Sequence, residues 1–98
     1  MLTPKQRQYL KAKAHPLKAA VHVGKAGLTD ALAGELDMML DSLELIKIRL
    51  NQNTEEDEAG VVEALQARVP GLEVVRVLGH TVLVFRASRT RPTAYPLP

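Results

Sequence analysis

Residues 81–86, TVLVFR, would carry apolar side chains on both faces of a strand: Val82 and Val84 point one way, Leu83 and Phe85 the other. A strand of that kind has to be covered on two sides. The run LIKIRLN at 45–51 makes a different demand, because Ile46, Ile48 and Leu50 share one face while Lys47 and Arg49 occupy the other. A sheet holding both strands must bury one face completely and its second face only in part.

The remaining segments supply the cover. Thr3-Pro4 combines a hydroxyl cap with proline at the first helical position, so a helix is predicted to about Ala14, stopped by His15-Pro16. KAAVHV (18–23) reads as a short strand with Val21 and Val23 on one face. From Thr29, the spacing of Leu32, Leu36, Met39, Leu40 and Leu43 describes one stripe of an amphipathic helix, with Asp30, Glu35, Asp37 and Asp41 mostly on its other side. Gly34 falls inside that helix at a cost of up to ~1 kcal/mol, as close packing would require. A third helix is predicted within NTEEDEAGVVEALQARVPG, capped at Asn53 or Thr54, with four acids in its first turns. Its buried stripe is Val61, Val62, Leu65 and Val69, and Pro70-Gly71 ends it. EVVRVL (73–78) and TVLVFR then join at Gly79-His80 as a tight hairpin.

The order α-β-α-β-α-β-β implies a parallel pair around the second helix and an antiparallel pair at the end, hence an α/β fold with a four-stranded mixed sheet. The N-terminal helix is the candidate cover for the second sheet face. Residues 1–87 are expected to form a single domain, and residues 88–98, with three prolines, a loosely held basic tail.

A chain of 98 residues that is 46% hydrophobic can bury one core. It has no cysteine, no apolar leader segment and no apolar run near the ~20 residues of a membrane span, so a soluble cytoplasmic protein, monomeric and without a cofactor, is expected. The net charge of +2 hides a segregation. Residues 1–29 carry Lys5, Arg7, Lys11, Lys13, Lys18 and Lys25 and no acid, and residues 74–98 carry Arg76, Arg86, Arg89 and Arg91 and no acid. All eleven acids lie between Asp30 and Glu73. Such a distribution can present a positive face to a polyanion.

The first strand runs into Gly24-Lys25-Ala26-Gly27, and the second helix follows at once. The glycine spacing fits neither a nucleotide-binding P-loop nor a dinucleotide fingerprint. What is left is a turn with outward-facing amides, a lysine at its tip and a helix N-terminus behind it, a combination that attracts phosphate oxygens. KH domains clamp an RNA backbone with a loop of the same Gly-x-x-Gly form. Arg7, Lys11, Lys13 and Lys18 would extend such a contact, with Lys47 and Arg49 as a second patch. Tyr9 is the aromatic placed to stack on a base, so backbone recognition is favoured over sequence reading. His15, His22 and His80 lack metal-ligand spacing, Ser42 and Ser88 have no histidine nearby, and EEDE (55–58) lacks a calcium-loop pattern, so catalysis is not expected.

The segments LKAKAHPLKAAVHVGKAGLT, ELIKIRL and GHTVLVFR, in this order and spacing, resemble the CRM domain family (chloroplast RNA splicing and ribosome maturation), and within it the stand-alone bacterial YhbY-like proteins. The resemblance covers about residues 3–87. It implies a mixed-sheet α/β fold similar to the C-terminal domain of bacterial translation initiation factor 3. It also implies an RNA-binding protein associated with precursors of the large ribosomal subunit, so the expected partner is ribosomal RNA. The family's Gly-x-x-Gly loop falls on Gly24, Lys25, Ala26 and Gly27, and its basic surface on the first helix. Gly79-His80 stands where many members have Gly-Lys, which makes a contact there weaker or pH-dependent. The alternative function is a protein adaptor whose acidic middle docks basic ribosomal proteins.

Overall fold

The computed structural model describes residues 1–52, 54 and 56–98. Its elements are α1 (Pro4–Ala14), β1 (Val21–Val23), α2 (Asp30–Leu43), β2 (Leu45–Leu50), α3 (Glu58–Arg68), β3 (Glu73–Leu78) and β4 (Thr81–Phe85). α1 opens on a capping box in which the Thr3 hydroxyl accepts from the Gln6 amide at 3.1 Å and Gln6 Oε1 accepts from the Thr3 amide at 2.9 Å. The strands lie in the order β1-β2-β4-β3, with β1 and β2 parallel and the other pairs antiparallel. This is the mixed sheet expected from the element order.

Both faces are covered to the extents the strand patterns demand. On one side, Val21, Val23, Ile46, Ile48, Val82 and Val84 pack against Leu36 and Leu40 of α2 and Val61 and Leu65 of α3. On the other, Leu45, Val75, Leu83 and Phe85 pack against Leu10 and Ala14 of α1. A bulge between Val74 and Arg76 lets Val75 join the α1 side while Val74 packs against the α2/α3 side.

The structure corrects several boundaries. β1 is half its expected length, Val21–Val23, although the Ala20 amide still donates to Lys47 O at 3.0 Å; before it, the Leu17 amide donates to Ala14 O. α3 begins later than expected, capped by Asp57, whose Oδ1 accepts from the Gly60 amide at 2.8 Å. Thr54 is no cap; its hydroxyl donates to Val23 O at 2.9 Å, and the alternative cap, Asn53, lies outside the described residues. Glu58 is the acid of the helix's first turn. Leu43, at the end of the α2 stripe, is 47% exposed where the chain turns at Glu44 (φ 62) into β2.

Gly34 also departs from expectation. Its surroundings leave a Cβ in open space, so close packing does not explain it. Gly34→Ala should therefore stabilise the fold by ~0.5–1 kcal/mol, measured by chemical denaturation.

The C-terminal segment and the arginine before it make hydrogen bonds to Asp41, Asp37 and Glu44. Arg86, almost fully buried, donates to Asp37 Oδ1 at 2.6 Å, Asp37 O at 2.7 Å and Pro70 O at 2.9 Å. Arg89 forks onto the Asp41 carboxylate at 2.8 and 3.1 Å and reaches Asp37 at 3.1 Å. These hydrogen bonds, from Arg86 foremost for Asp37 and from Arg89 for Asp41, hold both carboxyls below the ordinary range. Glu44 is buried, yet its carboxylate accepts from the Ser88 amide at 2.8 Å and the Ala94 amide at 2.7 Å. Burial pushes its pKa up, but the amides of Ala94 and Ser88 and the Thr93 hydroxyl outweigh that and leave it lowered. Tyr95 then meets Phe85 edge to face, with ring centroids 6.3 Å apart.

Candidate nucleic-acid interface

The glycine turn is a tight one: the Gly27 amide donates to Gly24 O at 3.0 Å, which leaves Lys25 and Ala26 exposed at the tip. Among the described residues the Lys25 and Ala26 amides have no partner. Gly27 favours glycine because its φ is +71°, whereas the Glu56 carboxylate that a Cβ would meet is the end of a flexible side chain and can give way. Gly24 has neither constraint, and open space surrounds it. Behind the turn, Thr29 caps α2 by accepting from the Leu32 amide at 3.1 Å. The helix end is not bare, however. Glu56 Oε1 accepts from the Leu28 amide at 3.2 Å, so an internal carboxylate sits where an external anion was expected.

The second half of the interface is the part of the sheet that α1 leaves uncovered. Strand register aligns His22 with Arg49, Arg49 with Thr81 and Thr81 with Leu78, one row across all four strands. The next row aligns Lys47, Leu83 and Arg76. All of these but His22, together with Lys11 and His15 at the end of α1, line a groove of about 360 Å³ that holds no acid among the described residues. The glycine turn follows His22 and Val23 at the end of the sheet where β1 and β2 finish, and His22 is paired with Arg49 of the groove.

Of the cations singled out in the sequence, the fold brings Lys11, Lys47 and Arg49 into the groove and leaves Lys25 at the tip of the turn. Lys47 is also tied to the fold, its Nζ donating to Leu17 O at 2.7 Å. Lys18 is exposed just before β1. Lys13 lies outside the groove, with Nζ 5.7 Å from the Tyr9 ring centroid, and that half-buried ring packs against the α1-side core. Arg7 acts within the fold instead, its Nη1 donating to Val74 O at 2.7 Å and Val75 O at 2.8 Å and so clamping α1 to the β3 bulge. Arg76 and His15 are groove residues that sequence reasoning misses. Hairpin register contained the signal for Arg76, because counting back from the Gly79-His80 turn places it opposite Leu83.

Charge pairing sharpens the picture. Asp30 meets Arg68, Asp37 and Asp41 meet Arg86 and Arg89, Glu58 meets His80, and Glu73 meets the N-terminal amine. Glu44, Glu56 and Asp57 accept from backbone amides. Among the described residues, Glu35 and Glu63 are the acids without such a partner, whereas Lys11, Lys18, Lys25, Arg49 and Arg76 make no ion pair. Asp30, Asp37, Asp41 and Glu73 thus face a cation, while the unpaired cations among the described residues include those of the groove and the turn as well as Lys5, Lys13 and Arg91 elsewhere.

The model of the CRS1 / YhbY (CRM) domain family matches residues 2–86. This chain belongs to that family. Curated relatives of this CRM domain include the Bacillus subtilis "Probable RNA-binding protein YqeI", 37% identical over 91% of this chain and 92% of the relative. A Haemophilus influenzae protein named "RNA-binding protein" is 30% identical over 97% of this chain and 95% of its own. The CRM fold is shared with the solution structure of the hypothetical protein SAV1595 from Staphylococcus aureus, at a TM-score of 0.79, 32% identity and full coverage of both chains.

Proposed function

We propose that this CRM-domain protein binds RNA through the glycine turn and the basic groove, and that its target is ribosomal RNA in large-subunit precursors, where it acts without catalysis. The observation that carries this reading is the groove lining: Lys11, Lys47, Arg49 and Arg76 converge on it, none of them in an ion pair and with no acid beside them among the described residues. Unpaired cations on a concave basic surface are suited to phosphates. The names of the relatives point the same way. The adaptor alternative loses ground because Asp30, Asp37 and Asp41 of α2 already face arginines of this chain.

Two measurements test it. RNA affinity should fall with salt at a log–log slope of roughly 0.7–0.9 per phosphate neutralised, and Lys11→Ala with Arg76→Ala should flatten that slope. An adaptor would instead remain on precursor particles after nuclease digestion, whereas an RNA-bound factor leaves.

Glu56 supplies a finer test of the turn. In this reading its carboxylate competes with a phosphate for the Leu28 amide. Glu56→Gln keeps an acceptor and removes the charge, so RNA affinity should rise about fivefold. Unchanged affinity would place the phosphates away from Leu28.

A further inference from the structure

We propose that the groove beside α1 seats an unpaired base of the bound RNA, so that the protein selects single-stranded over double-stranded segments. The inference rests on the RNA-binding reading and goes past it, since phosphate contacts alone accept either form. Leu78 is the first reason. It is 60% exposed, in register with Thr81, and lines the groove among cations. A lone exposed leucine needs no explanation by itself, but one set in a concave lining beside Leu83, Leu17 and cations offers a surface for an apolar occupant.

The groove is also amphipathic in the sense a nucleotide requires. Leu78, Leu83 and Leu17 provide an apolar floor, and Lys11, Arg49 and Arg76 a cationic rim. A base lying on the floor keeps its phosphates at the rim, and a guanidinium plane can stack on the face of a base where no aromatic ring is present. Among the described residues the lining holds no acid, which disfavours a cationic peptide. Its volume of about 360 Å³ lies at the lower end of the ~300–1,000 Å³ typical of sites for compact organic ligands. A duplex keeps its bases stacked inside and cannot present one to a concave floor.

The test uses the full chain and three RNA probes: a short single strand, the same strand with abasic riboses, and a duplex of equal length. By fluorescence anisotropy the base-bearing strand should bind about tenfold more tightly than the abasic strand, and more tightly than the duplex. Leu78→Ser should weaken the base-bearing strand about fivefold and leave the abasic strand and the salt slope unchanged. Leu78→Met should bind as the parent does, and thermal melts should be alike for all three proteins. Equal affinity for base-bearing and abasic strands, or no effect of Leu78→Ser, overturns the base seat. If salt-dependent RNA binding persists in that result, the RNA-binding reading stands. Failure to bind any of the probes would remove both.

Discussion

Replacing Lys25 and Ala26 by aspartates should abolish RNA binding while leaving the fold intact. Both side chains are exposed at the tip, and both flanking glycines are kept, including Gly27 with its φ of +71°. Aspartate near a helix N-terminus is stabilising by ~0.3–1 kcal/mol, and less here because Glu56 already accepts from the Leu28 amide. The effect on binding has two parts. A lysine contact to phosphate is lost, at about 1.5–3 kcal/mol for a hydrogen bond to a charged group, and two negative charges are placed where phosphates should lie. Together these amount to a loss of about a hundredfold or more. RNA affinity measured beside a thermal melt of the same variant decides the matter. Unchanged affinity with unchanged melting would make the glycine turn a plain strand-to-helix connector.

Arg86→Ala should have the reverse signature, a large loss of stability without a specific loss of binding. The Arg86 side chain is 7% exposed, and its guanidinium links α2, the turn after α3 and the C-terminal segment. Removing it takes the Arg86 donor from the Pro70 carbonyl and leaves Asp37 without its closest cation. Truncating one partner of a buried ion pair typically costs about 3–5 kcal/mol. Urea denaturation reads that loss directly. The residues of this cluster pack on the α2 side of the sheet, so any folded fraction should bind RNA with the parent's salt slope. Acid should act on the same cluster. Asp37, Asp41 and Glu44 are all lowered in the folded state. The stability they contribute is complete above their ordinary range near ~4 and is lost as pH falls through their folded values. A pH series of melts should therefore be flat near neutrality and decline below ~4.

Much of the architecture could be read from side-chain parity. LIKIRL announced one buried and one basic face, and TVLVF announced cover on both sides, which left α1 as the element to supply it. Helix starts at Thr3 and Thr29 were legible because a hydroxyl cap acts locally. The start of α3 was not, because Thr54 and Glu56 bond back to Val23 and Leu28, across the fold. The same limit applies to the cations. Arg7 was indistinguishable from Lys11 in the sequence, and only the bulge in β3, with two carbonyls facing α1, separates a clamp from a groove residue. Nothing local in the C-terminal segment reveals that Glu44 and Asp41 accept from its amides.

The central claim is that turn and groove form one continuous RNA surface. Titration of an RNA strand into isotope-labelled protein, followed by amide chemical shifts, tests it most directly. The account predicts shifts at Gly24 to Leu28, at His22 and Arg49, and at Arg76 and Leu78, with little change along the Asp37 and Asp41 side of α2. Shifts confined to α2 and the C-terminal segment, with the turn and groove silent, would contradict it.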